Sequence, residues 1–220
     1  MPETAPLIYW DVDTQNDFML PDGKLYIQGA ETILPNLARL TRRAREAGRV
    51  VVGSVDWHQS SDPELSDDPD FKETFPPHCL AGTDGAEKVK ATAPLNPLWI
   101  PNDPQEPSAL QDAVRAHTAN GGETYLQKSR FDVFTNPNAG AVLDALKPSR
   151  ILLYGVALDV CDAHAMEGLL KRGGIQIYLA LDATRAINPD EGERLVEDWR
   201  RRGVQIVSTE AAASGALNGA

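Results

Sequence analysis

The stretch Ile151-Leu-Leu-Tyr-Gly-Val-Ala-Leu-Asp-Val-Cys161 decides how this chain folds. Residues 151–155 are mostly apolar and are typical of a strand that is buried on both faces of a parallel sheet. The chain then turns, and apolar residues recur at helical spacing over residues 163–170. Cys161 is therefore predicted to lie in the first turn of a helix that follows the C-terminal end of a strand.

The position of Cys161 allows two interpretations. Unpaired backbone N–H groups and the positive end of the helix dipole stabilise a thiolate, so a thiol at this point can ionise below its free pKa of about 8.5. Taken alone, however, the segment favours a small buried side chain that fills space. The rest of the chain is needed to decide between a nucleophile and a space-filling residue.

At 220 residues, the chain suits a single domain, residues 1–220, with a full-sized core. Its 21 Lys and Arg against 32 Asp and Glu give a net charge of −11, which argues against nucleic acid or an anionic membrane as a partner. The N-terminus lacks the basic and apolar regions of a signal peptide, and no apolar run approaches about 18 residues. Two cysteines, Cys79 and Cys161, imply no disulfide framework. We expect a soluble cytoplasmic protein.

Strand patterns alternate with helix patterns along the chain. Strands are predicted at residues 7–13, 49–55, 123–127, 151–155, 176–181 and 204–207. Helices are predicted at residues 32–47, 108–118, 138–146 and 189–202, with one more after Cys161. This alternation is typical of an α/β fold in which a parallel sheet carries helices on both faces.

In such a sheet, ligands bind beyond the C-terminal ends of the strands. Four residues with carboxyl, amino or thiol side chains follow predicted strands at these ends: Asp13, Asp56, Lys128 and Cys161. Asp13 can accept the thiol proton of Cys161, and Lys128 can stabilise the thiolate and keep the carboxylate charged. An ordinary salt bridge between Asp13 and Lys128 is the alternative. The coincidence of all these residues at one rim favours a catalytic triad of Asp13, Lys128 and Cys161.

A second group of polar residues follows the strand at 49–55. Asp56 and His58 are two residues apart and point to the same side of an extended segment, while Glu64 and His78 lie further along the same loop. Imidazole and carboxylate ligands suit Zn, Fe or Mn, so Asp56, His58 and His78 together favour a metal site. A solvated acidic loop is the alternative, and it is our interpretation of the surrounding acids Asp62, Asp67, Asp68 and Asp70.

Taken together, these motifs resemble the isochorismatase-like cysteine hydrolases. The resemblance is carried by Asp13-Thr-Gln-Asn-Asp-Phe18, Asp56-Trp-His58, Phe75-Pro-Pro-His-Cys-Leu-Ala-Gly-Thr-Asp-Gly-Ala86, Lys128 and Gly155-Val-Ala-Leu-Asp-Val-Cys161. Within that superfamily, the set is most similar to the nicotinamidase/pyrazinamidase branch. The motifs spread from residue 8 to about 190 and so cover most of the chain.

The resemblance implies a Rossmann-like three-layer fold with a six-stranded parallel sheet, and it assigns the triad to Asp13, Lys128 and Cys161. It also implies a cis peptide bond between Val156 and Ala157. The N–H groups of Ala157 and Cys161 would then form an oxyanion hole. Cys79 directly follows His78, a candidate metal ligand, but it does not lie at the predicted start of a helix. We therefore rank it far below Cys161 as the nucleophile.

A metal cofactor is also implied by the resemblance. One divalent transition metal ion, Zn foremost with Fe or Mn as alternatives, would be held by Asp56, His58, His78 and one further acid or histidine of the loop. Glu64 falls where this ligand is expected, with Asp67 as a neighbouring alternative.

The metal of this branch binds the pyridine nitrogen of the substrate, and Phe18 and Phe75 match the aromatic positions that sandwich the ring. The implied function is cleavage of nicotinamide to nicotinate and ammonia through a cysteine thioester. A hydrolase of a ureide or carbamoyl amide with a vestigial metal loop, and a non-catalytic metal-binding scaffold of the same fold, are the alternatives. We expect a small-molecule amide as partner, and a homo-oligomer stays open beside a monomer.

Three stretches depart from the family pattern. Leu158 stands where the family usually has Thr or Ser. The segment Ser129-Arg-Phe-Asp-Val-Phe134 after Lys128 differs from the sequence that nicotinamidases usually have at this place. The interval between His78 and Lys128 is longer than in compact members, so residues 88–122 are expected to form a lid-like insertion.

Overall fold

The computed structural model describes residues 7–218, so both ends of the predicted domain 1–220 lie outside the described residues. The strands are β1 (Leu7–Val12), β2 (Val50–Asp56), β3 (Pro97–Ile100), β4 (Glu123–Lys128), β5 (Arg150–Val156), β6 (Gln176–Arg185) and β7 (Gln205–Val207). The helices are α1 (Asn16–Met19), α2 (Leu34–Glu46), α3 (Pro107–Ala119), α4 (Ala139–Leu146), α5 (Cys161–Arg172), α6 (Pro189–Arg201) and α7 (Thr209–Ala213). Short 3₁₀ helices span Ala30–Ile33, Asp84–Ala86, Val133–Thr135 and Ala216–Asn218. No helix within the described range has both the length and the apolar character that a membrane crossing needs.

The strands form one parallel sheet in the order β3-β4-β2-β1-β5-β6-β7. Strands β2, β4 and β3 lie on one side of β1, and β5, β6 and β7 follow in chain order on its other side. The crevice between the C-terminal ends of β1 and β5 is therefore the switch point at which such folds bind ligands. The stretch from Ile151 to Cys161 supplies most of β5 and the first residue of α5 at this crevice.

The predicted α/β class is confirmed, but the described part of the sheet has seven strands rather than six. The additional strand is β3, which pairs with β4 at one edge of the sheet. It has four residues and begins at Pro97, a residue that edge strands tolerate at their first position. A strand this short, set among prolines, carries too few alternating residues to be recognised from the sequence pattern.

Alternate residues of the central strands enter two separate cores. On β1, Ile8, Trp10 and Val12 face one core, while Leu7 and Tyr9 face the other. The first core is covered by α3, α4, α5 and α6, and the second by α2 and α7. The sheet is thus buried between two helical layers, and its C-terminal rim is the surface left for chemistry.

Residues 88–122, expected to form a lid-like insertion, include β3 and α3. Helix α3 packs against α4 on one helical layer. The role of this interval as a lid stays a prediction.

Gly155 occupies the closest approach between β5 and β1. Its φ of +134° is one that residues with side chains rarely adopt, and it lies directly opposite Val12. A Cβ atom at this position would collide with the carbonyl oxygen of Val12. Only glycine allows the two strands to meet at the crevice.

We expect Gly155→Ala to lower the free energy of unfolding by about 3 kcal/mol or more, because the added methyl group must displace the main chain of β1. The matched control is Gly121→Ala, a glycine that also has a positive φ (+76°) but has open space around it. That change should cost only about 1 kcal/mol. Urea denaturation of both variants gives the comparison, and equal losses would contradict the collision at Val12.

Candidate active site

The side chain of Lys128 lies at the centre of the C-terminal rim. Its Nζ atom is 2.9 Å from Oδ2 of Asp13, forms a second ion pair with Asp56, and is 3.7 Å from Sγ of Cys161. Lys128 is 1% exposed, so this ammonium group depends on its partners rather than on water. The structure thus brings together all four residues that the strand ends predicted.

Burial and charge act in opposite directions on these groups. Burial disfavours the ammonium form, but Asp13 and Asp56 outweigh it and raise the pKa of Lys128 well above its ordinary value. Burial also disfavours the charged form of Asp56, yet Lys128 and the two nearby imidazoles hold its pKa well below the usual range. For Asp13, burial prevails over Lys128 and raises the pKa. A carboxyl group with a raised pKa is better matched to proton transfer near neutral pH.

Cys161 is the first residue of α5, as predicted, and it is 7% exposed. The helix start does not by itself lower the pKa of this thiol. Burial raises the pKa of the Cys161 thiol well above that value, and Lys128 offsets only part of the effect. The helix terminus was visible in the sequence, but the burial of the sulfur beside Asp13 and Asp56 was not. The thiol therefore needs a neighbouring base to become nucleophilic.

Two backbone N–H groups are free near this sulfur. Within residues 7–218, neither the N–H of Ala157 nor that of Cys161 donates a hydrogen bond. The loop between them is fixed by Val160 and Asp162, whose N–H groups both donate to the carbonyl oxygen of Ala157 at 3.0 Å. The peptide bond between Val156 and Ala157 is cis. Ala157 and Cys161 thus have N–H donors available for an acceptor in the pocket.

Beyond Asp56 lies a buried cluster of four residues with metal-ligating side chains. One ligand atom from each of them lies within 4.8 Å of all the others, and the four residues are Asp56, His58, Glu64 and His78. Nε2 of His78 is 3.5 Å from Oδ2 of Asp56, and Nε2 of His58 is 3.7 Å from Oε1 of Glu64. Asp67, the alternative loop ligand, is exposed and lies outside this cluster.

The donor set fits a divalent transition metal. Nε2 of His58 and both carboxylate oxygens of Glu64 are buried without a hydrogen-bond partner. The opposite ring nitrogens are already engaged, because Nδ1 of His78 lies 2.7 Å from the carbonyl oxygen of Pro76 and Nδ1 of His58 lies 3.2 Å from Asp62. Such contacts orient imidazoles toward a metal. Burial, followed by the charge of Asp56, raises the pKa of Glu64 to about 7, a cost that a bound cation would relieve.

Gln15 is a residue of the site that sequence reasoning missed. Its Nε2 donates to the carbonyl oxygens of Asp56 and Ala86 at 2.7 and 2.8 Å, and its Oε1 accepts from the N–H of Asp56 at 2.7 Å. The side chain is fully buried and holds the backbone of Asp56 from both sides. Its place two residues after Asp13 was a signal, because that position shares the strand-end rim.

A pocket joins Cys161 to the candidate metal cluster. Its lining consists of Phe18, Leu25, Ile27, Asp56, Glu64, Phe75, His78, Phe131, Val156, Ala157, Val160, Cys161 and Ile187. Phe18 and Phe75, predicted to hold a ring, both line it. Cys79 is buried outside this lining, where its thiol lies 3.8 Å from the carbonyl oxygen of Gly85.

Phe131 is a further pocket residue that was not predicted. Its ring meets the ring of Phe75 edge-on, with centroids 5.4 Å apart, and stacks at 6.1 Å on His164 of α5. The segment after Lys128, which departs from the family pattern, thus borders the pocket. An aromatic residue three positions after a strand-end lysine was the available signal.

Comparison with known proteins identifies the family. The model of the isochorismatase domain matches residues 8–211, and the chain belongs to the isochorismatase family. It is similar to the nicotinamidase/pyrazinamidase of Mycobacterium tuberculosis, with 25% identity over 199 residues that cover 89% of this chain and 95% of the relative. It is also 24% identical over 197 residues to a probable inactive nicotinamidase of Arabidopsis thaliana, with 88% of each chain covered.

Among solved structures, the pyrazinamidase of Pyrococcus horikoshii in complex with zinc superimposes with a TM-score of 0.70 at 25% identity. The match covers 92% of this chain and 98% of that structure. The family indicated by the sequence motifs is therefore confirmed, the similarity to nicotinamidases and pyrazinamidases agrees with the branch that the motifs indicate, and these relatives support an amidohydrolase.

We expect the protein to bind about one divalent transition metal ion per chain, and His58→Ala and His78→Ala to lose it. Glu64→Ala should weaken binding less, since both imidazole ligands remain together with Asp56. Asp67→Ala, an exposed acid of the same loop, is the matched control and should bind normally. Elemental analysis after dialysis against zinc measures the ratio, and equal metal contents in all four variants would contradict the ligand set.

Proposed function

We propose that the protein hydrolyses nicotinamide to nicotinate and ammonia through a thioester on Cys161. The observation that carries this proposal is one shared pocket. At one side it presents the sulfur of Cys161 beside Asp13 and Lys128, and at the other it presents a cluster of metal-ligating side chains. The mycobacterial nicotinamidase/pyrazinamidase and the Pyrococcus horikoshii pyrazinamidase, to which the chain is similar, support the same substrate class.

The pocket lining favours an uncharged, flat substrate. Apart from Cys161 and the candidate metal ligands, the lining is apolar. In the described part of the chain, residues 7–218, no Lys or Arg belongs to this lining. A carboxylate-bearing ureide would lose its hydration here without gaining a cationic partner. An aromatic ring, in contrast, can contact Phe18, Phe75 and Phe131. This lining disfavours the carbamoyl-amide alternative.

Asp56, His58, Glu64 and His78 are proposed to hold the metal. Zinc is the candidate best supported, because imidazole and carboxylate ligands suit it and the archaeal relative is described in complex with zinc. When bound, a divalent metal supplies a Lewis acid that can accept the ring nitrogen of the substrate. The ring would then extend with its carboxamide toward Cys161.

In acylation, Asp13 takes the proton from Sγ of Cys161 while the sulfur attacks the amide carbonyl carbon. The carbonyl oxygen becomes an oxyanion, for which the N–H groups of Ala157 and Cys161 are the available donors, and such donors typically contribute about 3 kcal/mol each. Asp13 then returns the proton to the amide nitrogen. The C–N bond breaks, ammonia leaves, and a thioester remains on Cys161.

Deacylation uses the same groups in reverse. Asp13 takes a proton from water, and the water oxygen attacks the thioester carbonyl carbon. The C–S bond breaks, the carboxylic acid is released, and the sulfur recovers a proton from Asp13. The ammonium of Lys128, 3.7 Å from the sulfur, stabilises the thiolate in both halves of the reaction.

We expect nicotinamide and pyrazinamide to release ammonia, and benzamide to show a kcat/KM lower by at least about a hundredfold. All three rings fit the pocket equally, but benzamide lacks the ring nitrogen that the metal is placed to bind. The assay measures ammonia from zinc-loaded protein, before and after chelation. Comparable values for benzamide and nicotinamide would contradict the ring-nitrogen contact, and no ammonia from any of the three would reject the substrate.

Cys161→Ala should reduce turnover by at least about a thousandfold, because no other described residue of the pocket offers a comparable nucleophile. The melting temperature should change little, since loss of one sulfur at the rim leaves a small cavity. Cys79→Ala is the matched control and should keep most activity. Retained turnover in Cys161→Ala would show that this sulfur is not the nucleophile.

A further inference from the structure

Three segments, residues 27–29, 157–161 and 185–188, meet at the rim of the pocket and are joined by hydrogen bonds. The N–H of Leu158 donates to the carbonyl oxygen of Arg185 at 2.9 Å. Nε of Arg185 in turn donates to the carbonyl oxygen of Gln28 at 3.0 Å. Each segment contributes to the pocket lining, so these bonds connect the loop before Cys161 to two pocket walls.

The carboxylate of Asp159 makes the strongest of these connections. One oxygen accepts from the N–H of Ile187 at 2.8 Å, and the other accepts from the N–H of Asn188 at 2.7 Å. Asp159 lies two residues before Cys161, on the loop that begins with Ala157. Bonds between an ionised carboxylate and backbone N–H groups are about twice as strong as neutral ones.

Ile187 depends on these bonds for its position. Its side chain lines the pocket together with Cys161, yet it is 53% exposed, so packing alone holds it weakly. Both N–H groups bound by Asp159 belong to Ile187 and the next residue. A shift of the carboxylate would therefore move the part of the pocket wall that Ile187 forms.

We infer that Asp159 is a positioning residue that fixes the Ile187 wall of the pocket relative to the loop that presents Cys161. The inference deepens the proposed function, because it assigns the residue that sets the substrate's place beside the nucleophile. It does not depend on which amide is hydrolysed.

A purely structural role is the competing explanation, because Asp159 also stabilises the start of α6. The side chain of Asn188 accepts from the N–H groups of Asp190 and Glu191 and so caps this helix. Asn188→Ala removes the cap while leaving the backbone N–H that Asp159 binds. This variant is the matched control for loss of stability at α6.

The test compares wild type, Asp159→Asn, Asn188→Ala and Ile187→Ala at a temperature at which all are folded. The first readout is the rate of alkylation of Cys161 by iodoacetamide, followed by mass spectrometry. Asp159→Asn and Ile187→Ala should accelerate it about tenfold, since a displaced or missing wall exposes the sulfur, and Asn188→Ala should match wild type. The second readout is ammonia release from nicotinamide, for which Asp159→Asn should raise KM about tenfold and Asn188→Ala should not.

Wild-type alkylation rates in Asp159→Asn, or equal changes in Asp159→Asn and Asn188→Ala, would overturn the inference. Ile187→Ala keeps both hydrogen bonds, and its failure to accelerate alkylation would overturn it even if Asp159→Asn did not fold. The two proposals are separable: a wild type that releases no ammonia from nicotinamide, with accelerated alkylation in Asp159→Asn, rejects the substrate and supports the positioning role.

Discussion

The buried ammonium group of Lys128 is the constraint on which the rest of the site depends. A charge removed from water is tolerated only where opposite charges surround it closely, and here Asp13 and Asp56 do so. These partners follow different strands, so the ion pairs fix where β1, β2 and β4 end relative to one another. Because Asp56 also belongs to the metal-ligating cluster, the same ammonium group connects the candidate triad to the candidate metal site.

Two uncharged residues, Gln15 and Gly155, also help to position the reacting groups. Gln15 fixes the backbone of Asp56 by two hydrogen bonds and is itself held by a third to Ala86, which leaves the carboxylate of Asp56 free for Lys128 and the imidazoles. Gly155 lets β5 approach β1 closely enough for Cys161 and Asp13 to share a crevice. Neither residue carries charge or reacts, yet the geometry of the reacting groups depends on both. The site is therefore a property of the sheet as a whole rather than of one motif.

Much of this arrangement could be predicted because the C-terminal ends of the strands can be recognised from the sequence pattern. Asp13, Asp56 and Lys128 each follow a recognisable strand, and parallel strands place their C-terminal ends at one rim. The metal-ligating cluster was predictable in its members, since Asp56 and His58 share one side of an extended segment. The choice between Glu64 and Asp67 required the path of the loop, which buries the first and exposes the second.

The missed features arise from contacts between distant segments. The pKa of the Cys161 thiol depends on burial beside Asp13 and Asp56, which a helix start alone does not reveal. Strand β3 is too short to show an alternating apolar pattern, and it is a strand because its backbone pairs with β4 at the edge of the sheet. Phe131 and Asp159 act through partners more than 25 residues away, Phe75 and Ile187. Such pairings are set by the folded chain and leave little local signal.

The central claim is that Cys161, deprotonated by Asp13, carries the acyl group of the substrate. Zinc-loaded protein mixed with nicotinamide and quenched in acid before one turnover is complete allows the acyl-enzyme to be located by peptide mass spectrometry. We expect a nicotinoyl group on the peptide that contains Cys161, and a much smaller yield in Asp13→Asn, whose side chain accepts no proton. Product formation without an adduct at Cys161, or an adduct at Cys79, would contradict it.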